Sequence, residues 1–550
     1  MLINRDNIKF RVGVFFFIFA SLIFAQETHN LEIIWQKTSP DSVFYFGRCI
    51  ASGDVNGDSF SDIMIVGDSV LDLTNPDSAY RGVCWLFFGG SNFDTIPDIR
   101  LNNLQKLIFW SLHTNDINGD GFDDVILGAL NNAGGYGEVL VFLGSNPMDS
   151  ICDYVLHSTQ AGSCFGCAIA SGDVNGDSYS DLIVGAYGAW PMPGGYDMGR
   201  VYIYYGGPNF DTIPDIILNG GHENDRESFG VSASGTGDVN DDGYKDIIIG
   251  AYNYGPNIAG RIYIYYGGDP IDSIYDVAMM GEGTWHTLGV FGVDFTNNLQ
   301  AFDHAITSTP LWGPTNPQGY NPGKVYVLFG GNPMDSIPDV WMIGRTDAST
   351  LGMSISSAGD LTNNFYDEII AGAPVEYNSK GTSYLWLGGI LLDTVPDAWL
   401  RGMVGGDGIG WMVASASDVN GDGRDEVMVS NSAGRIPRVW VCKYTGPGIE
   451  ERETQKAERL TLEIKPNPAK SVILVHCPLP VKNMKIYDIT GKIVKVFEVA
   501  KMLESGRYEI KWDLRDNNQN KISSGIYFIK AAIDNGQDII SEINKIIVTR

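Results

Sequence analysis

Short runs along the chain either alternate between apolar and polar residues, as in Arg200-Val201-Tyr202-Ile203-Tyr204-Tyr205, or are continuously apolar and β-branched, as in Asp246-Ile247-Ile248-Ile249. The first pattern predicts half-buried strands and the second predicts strands buried on both faces. Gly- and Pro-rich connections separate the runs, with turns of the type Phe210-Asp211-Thr212-Ile213-Pro214-Asp215. No stretch repeats at helical spacing, so the pattern predicts an all-β chain.

The strands recur in units. GDVNGDSFSDIMIVG at 53–67 returns as DINGDGFDDVILGA at 116–129, GDVNGDSYSDLIVGA at 172–186, GDVNDDGYKDIIIGA at 237–251 and DVNGDGRDEVMVS at 418–430. Weaker copies begin at Asp294 and Asp360. The leading aspartates, Asp54, Asp116, Asp173, Asp238, Asp294, Asp360 and Asp418, are 62, 57, 65, 56, 66 and 58 residues apart. Each unit reads as four short strands, opened by Phe46-Gly47, Phe165-Gly166, Phe229-Gly230 or Leu351-Gly352. Seven such units describe a seven-bladed β-propeller. The seventh unit stops after its third strand, Arg438–Tyr444, while an orphan strand, Leu31–Trp35, precedes the first. This strand is expected to complete blade seven and close the ring within residues 26–446.

Composition adds a compartment and a boundary. Arg5, Lys9 and Arg11 precede an apolar run from Val12 to Phe24, closed by Ala25, which predicts a secretory signal peptide over 1–25. No other segment is apolar enough to cross a bilayer, so no transmembrane segment is expected once the signal is removed. Up to Gly446 there are 20 basic and 52 acidic residues; from Pro447 onward there are 17 and 14. A net charge of −29 argues against a nucleic-acid partner, which needs clustered Lys and Arg. The short charged segment 447–459 then reads as a linker to a second domain over 460–550. Cys164 and Cys167 form a CxxC with no second pair, and read as strand residues rather than ligands.

The acidic loops carry the candidate chemistry. The spacing D-x-N-x-D-x-x-x-D sets side-chain oxygens at loop positions 1, 3, 5 and 9, and position 7 can offer its carbonyl. The sets are Asp54, Asn56, Asp58, Phe60 and Asp62; Asp116, Asn118, Asp120, Phe122 and Asp124; Asp173, Asn175, Asp177, Tyr179 and Asp181; Asp238, Asn240, Asp242, Tyr244 and Asp246; and Asp418, Asn420, Asp422, Arg424 and Glu426. Oxygen-only ligation suits Ca²⁺, giving five strong sites. Asp360, Thr362, Asn364, Tyr366 and Glu368 make a weaker sixth. Asp294, Thr296 and Asn298 run into Leu299-Gln300-Ala301-Phe302, so blade five is expected to have lost its ion. These are not EF-hands: position 12 is Ile65, Leu127, Val184, Ile249 or Val429, where a bidentate Glu is required.

With its Phe-Gly starts, D-x-N-x-D-G loops and Gly-Ala ends (Gly185-Ala186, Gly250-Ala251, Gly372-Ala373), the stretch 31–446 resembles the FG-GAP repeats of integrin α-subunit propellers. That resemblance implies a calcium-stabilised propeller used in extracellular recognition. Lys465-Pro466-Asn467-Pro468, Met484–Lys492, Trp512-Asp513 and Ser524–Phe528 resemble a type IX secretion system type A sorting domain. This second resemblance implies export through an outer membrane, and it makes outer-membrane secretion machinery a partner of 460–550. Bottom-up, the same residues read as a small antiparallel β-sandwich.

No H-E-x-x-H, G-x-S-x-G, Walker A or G-x-G-x-x-G sequence is present, and no catalytic residue is assigned. Strand alternation sends loops 1–2, with the acidic sets, to one face and loops 2–3 and 4–1 to the other. The second face gathers Tyr187, Trp190, Tyr196, Trp285, His286, Trp312 and Tyr320, the candidate ligand-binding residues for a glycan or protein. They could equally cover blade edges. One alternative is a lyase-like polysaccharide enzyme, resting on His286, Asp303 and His304 of the irregular fifth blade. Another is a structural surface component.

Overall fold

The computed structural model describes residues 27–548 apart from 41–42, 71–79, 92, 103–106, 132–134, 191–197, 222–226, 256–257, 283–287, 290–292, 297–301, 312–320, 347, 390–391, 393, 433, 435, 447–462, 466–469, 471, 478–480, 489–492, 498–500, 503–507, 518 and 535–538. The signal peptide and the linker lie outside the described residues. The chain divides into two compact units, 1–446 and 447–550.

Unit one is seven antiparallel sheets in sequence order, the seven-bladed propeller. Blade three shows the plan: Ala168–Gly172, Asp181–Ala186, Arg200–Tyr204 and Ile216–Asn219 pair as successive neighbours. The first strand is built of small residues and the second is wholly buried. Small side chains let this first strand crowd against its neighbours near the axis, and its β-branched second strand packs against blades on both sides. The cores accordingly lie between blades: Ile126, Val139 and Val141 of blade two share a cluster with Ile169, Leu182 and Val184 of blade three.

Blade seven consists of Val413–Ser417, Glu426–Ser430, Arg438–Tyr444 and, as its outer strand, Leu31–Thr38. Leu31 pairs with Tyr444 and Thr38 with Arg438. Trp35 then crosses the seam to blade one, edge-on to Phe87 at 5.3 Å and stacked on Phe93 at 5.0 Å. Its indole N–H donates to the Asp94 carbonyl at 2.7 Å. Just upstream, Glu27–His29 adds a fifth strand to the outer edge of blade six, with Thr28 opposite Leu400.

A second set of bonds ties neighbouring blades together at the Phe-Gly starts. Gly47, Gly166, Gly230, Gly289, Gly352 and Gly410 all have φ between +75° and +89°, the region that favours glycine. The Gly166 carbonyl accepts from the hydroxyl of Ser111 at 2.7 Å, that of Gly352 from Ser308 at 2.8 Å, and that of Gly47 from Ser430 at 2.7 Å. Cys167 donates to Gly230 at 3.3 Å and Cys49 to Trp110 at 3.0 Å in the same way. The CxxC thus contributes an interblade thiol, and all six described cysteines are free.

Unit two is two four-stranded antiparallel sheets. One holds Ile473–Cys477 and Tyr508–Trp512; the other holds Val481–Asp488, Gly525–Asp534 and Ile539–Val548. Ile473, Val475, Ile510 and Trp512 of the first share one core with Met484, Ile486, Tyr527 and Ile529 of the second, which makes a sandwich.

Candidate functional site

In blades one to four and in blade seven, the acidic loop is a tight crossing from first to second strand, wound around its position-1 carboxylate. In blade one, Asp54 Oδ1 accepts the N–H groups of Gly57 at 2.7 Å and Asp58 at 3.1 Å, while Oδ2 accepts that of Ser59 at 2.8 Å. Asn56 Oδ1 accepts from Asp58, and Asp58 Oδ1 from Phe60. Asp116, Asp173 and Asp418 take the same bonds from Gly119, Gly176 and Gly421 at 2.7 Å. Asp238 accepts from Asp242 at 3.2 Å and Gly243 at 3.0 Å. In blade six, Asp360 accepts from Asn364 and Phe365, and the Thr362 hydroxyl donates to Glu368 at 3.1 Å.

Position 9 faces inward. Asp62, Asp124, Asp181 and Asp246 are fully buried, and each accepts the N–H of loop position 2 and that of a glycine in the 3–4 hairpin of its own blade, such as Gly89 for Asp62 at 2.9 Å. Burial, opposed by those N–H groups and reinforced by the carboxylates at positions 5 and 1, pushes each of the four up to about 7. Burial likewise raises Glu426 to about 8 and Glu368 well above its usual value. Among the described residues, no Lys or Arg is ion-paired to any of these six. The donor set is therefore oxygen-only, anionic and uncompensated by side-chain cations, which fits a hard divalent cation. No three His, Cys, Asp or Glu side chains among the described residues are already gathered as a metal-holding set.

The loops also interlock, which sequence spacing did not disclose. A Cβ on Gly57, Gly119, Gly176 or Gly421 would overlap the ring of Phe122, Tyr179, Tyr244 or Phe60, the position-7 residue one blade further on. The carbonyls of positions 1 and 2 accept N–H groups from the next blade, as Asp54 does from Asp123 at 3.0 Å and Val55 from Ser145 at 3.0 Å. The carboxylates of Asp123, Asp303 and Asp425 in turn accept the N–H of Asp54, Asp238 and Asp360, each at 2.8 Å.

Blade five corrects the repeat alignment. In blades one to four and in blade seven the residue before position 1 pairs with position 9, as Gly172 does with Asp181. In blade five, Thr296 pairs with His304, so Asp294 lies inside the first strand and does not lead a loop. Its carboxylate accepts from Ser234 at 2.9 Å and from the Ser357 N–H at 2.8 Å, joining blades four and six. Counting back from Asp303-His304 would have exposed the slip. Asn298 is outside the described residues.

On the opposite face, Tyr187 and Trp190 are partly buried. The Tyr187 hydroxyl is bonded to Cys164, and the backbone of Trp190 exchanges two hydrogen bonds with the Gln160 amide. Both are tied to the segment 158–166 that joins blades two and three. Tyr196, Trp285, His286, Trp312 and Tyr320 lie outside the described residues. Asp303 caps the loop of blade four, and His304 stacks on Phe329 at 4.5 Å while its Nδ1 accepts from Gly330.

Residues 165–204 and 229–265 match the FG-GAP repeat, and residues 463–549 match the secretion system C-terminal sorting domain. Integrin alpha-PS2 of Drosophila melanogaster is 35% identical over 185 residues, 32% of this chain and 12% of that protein. Integrin alpha-5 of Xenopus laevis is 28% identical over 229 residues, 40% and 21% of the two chains. The matches therefore span about an eighth to a fifth of these relatives' length. Among solved structures, PorZ, described as an essential bacterial surface component of the type IX secretion system of Porphyromonas gingivalis, aligns with a TM-score of 0.36 and 13% identity. That alignment covers 94% of this chain and 61% of PorZ. The chain carries integrin-α-like FG-GAP repeats in a seven-bladed propeller, followed by a sorting domain, and is secreted or held at the outer cell surface. No described helix is long and apolar enough to cross a membrane.

Proposed function

We propose that this exported propeller is an extracellular recognition or adhesion module, stabilised by Ca²⁺ on one face and engaging a glycan or protein ligand through the other. The observation that carries the first half is the row of inward carboxylates, Asp62, Asp124, Asp181, Asp246 and Glu426, buried beside further carboxylates with no side-chain cation. In each loop, positions 1, 3, 5 and 9 and the carbonyl of position 7 would hold the ion, and Glu368 would complete a weaker set in blade six. A bound cation supplies the missing countercharge, so buried carboxylates become stabilising. The interlocked loops spread that effect to neighbouring blades.

A rigid ring frees the opposite loops for contact with a partner, where conserved geometry is not needed for folding. Outer-membrane secretion machinery is the partner of the sorting domain in this reading. Two measurements test it. Calorimetric melting of the mature chain should shift upward with Ca²⁺ in the range of about 10⁻⁴–10⁻³ M and downward with EDTA; a melting point indifferent to both removes the calcium. Beads carrying the protein should adhere to glycan-coated or protein-coated surfaces more than to bare ones, and equal adhesion to all of them removes the recognition role.

A further inference from the structure

We propose that Trp110, Tyr45, Phe44 and Arg48 form a carbohydrate subsite for neutral pyranose rings, at the junction of blades one and two on the 2–3/4–1 face. The inference rests on the recognition reading above and names where and what that face binds. Trp110 is the starting observation. Its carbonyl accepts from Cys49, the bond that the repeat glycines Gly47, Gly166, Gly230 and Gly352 accept from the blade before them. Trp110 therefore occupies the glycine position of a Phe-Gly start. In that position there is no room for a side chain toward the neighbouring blade: a Cβ on Gly47 would crowd Val439 and Ser430. The pairing of blade two breaks between Phe109 and Ser111, and the indole is left 52% exposed.

Blade one is irregular at the same place. Its pairing breaks between Phe44 and Cys49, Tyr45 is held at φ +54°, and Phe44 and Tyr45 are 46% and 48% exposed. A non-glycine residue held at positive φ is strained, and such strain collects at binding sites. Between the rings lies Arg48, its guanidinium carbon 4.6 Å from the Tyr45 centroid and 5.7 Å from that of Trp110. The guanidinium is pinned by the buried Asp68 carboxylate at 2.7 Å. The two ring centroids are therefore no more than about 10 Å apart, both beside a guanidinium held in place by Asp68 and the Phe109 carbonyl.

Charge and size select the occupant. The Arg48–Asp68 pair has no net charge, so the patch attracts neither anionic nor cationic ligands strongly. Three half-exposed rings offer on the order of 300 Å², since each buries about 150–250 Å² when covered completely. That is well below the roughly 800 Å² per partner of a stable protein interface. It matches one or two sugar rings, whose C–H faces pack on aromatic planes while hydroxyls take a guanidinium donor.

The test is affinity electrophoresis of the mature chain, with Ca²⁺, in gels containing laminarin, dextran or mannan, beside gels containing alginate or hyaluronan. We expect retardation by at least one neutral polysaccharide. Trp110→Gly, the residue that the repeat itself uses here, should weaken it by roughly tenfold, as should Tyr45→Gly, which relieves the strained φ. Neither variant should lower the melting point, and Trp190→Ala should leave retardation unchanged. Retardation untouched by Trp110→Gly and Tyr45→Gly overturns the subsite while leaving glycan recognition standing. Retardation by the anionic polymers alone overturns the neutral chemistry. No retardation by any polymer overturns the subsite, and the bead-adhesion assay then decides the broader recognition reading separately.

Discussion

Replacing Trp35 by Ala attacks the seam of the ring at one residue. The side chain is 6% exposed, belongs to the outer strand of blade seven, and makes its ring contacts with Phe87 and Phe93 of blade one. Truncating a buried Trp costs about 3–5 kcal/mol through lost burial and the cavity left behind. The indole donor to Asp94 adds about 1 kcal/mol, because that carbonyl loses its partner. The total, roughly 4–6 kcal/mol, is a large share of the 5–15 kcal/mol typical of a folded domain. Urea unfolding of the mature chain, followed by circular dichroism, should show a lower midpoint with unchanged slope. Trp35→Phe keeps a ring between blades and loses only the donor and some volume, so it should cost about 1–2 kcal/mol. A Trp35→Ala loss below 1 kcal/mol, or equal losses for Ala and Phe, would refute the claim that this side chain holds the seam.

Other outcomes follow from the loops and the inner strands. Gly119→Ala and Gly176→Ala put a methyl group into the Tyr179 and Tyr244 rings at φ near +78°, and should destabilise by about 2–4 kcal/mol. Gly121→Ala and Gly423→Ala, with a similar φ but open space, should lose only about 1 kcal/mol; equal losses in thermal melts would mean that loop interlocking is weak. Burial pushes His113, 2.7 Å from the Ser171 hydroxyl, down to about 4. Its unfolded form protonates near 6.5, so the unfolded state binds the extra proton between those values, and stability should fall as pH drops from about 6.5 to 4, by about 2–3 kcal/mol. His113→Asn should remove that part of the slope in urea titrations at pH 7, 5.5 and 4.5; an unchanged slope assigns it elsewhere. Asp181→Asn should weaken the rise in melting point that Ca²⁺ produces, without abolishing it, since the other loops remain; a full-sized rise would exclude Asp181 as a ligand.

What could be read directly was periodic. Strand patterns, the seven units and the loop positions are local in sequence, so alternation and spacing carry them. The register of blade five was not, because Asp294 imitates a leading aspartate three residues too early, and strand pairing alone reveals that Thr296 stands opposite His304. The second task of Phe122 and Tyr179, closing over the glycine of the preceding loop, joins residues some sixty positions apart and leaves no local trace. Glu27–His29 is polar and three residues long, too short for any pattern to mark it as a strand. The face opposite the acidic loops is the hardest to read, because exposed aromatics and edge-covering aromatics look alike in a sequence. Tyr187 and Trp190 are partly buried and bonded to the segment that joins blades two and three. Trp110 is a visible irregularity, a Trp in a row of glycines, but only the interblade bond to its carbonyl aligns it with them.

The pairing of Leu31 with Tyr444 has a consequence in time. The two strands are separated by more than four hundred residues, so the loop between them must be nearly complete before they meet. Until the two meet, Leu31–Thr38 and Arg438–Tyr444 each present an open edge, ready to pair with any other extended chain. Such long-range closure is slow. A polypeptide that must cross an envelope before it works gains from this delay: the ring latches last, when its final blade has arrived.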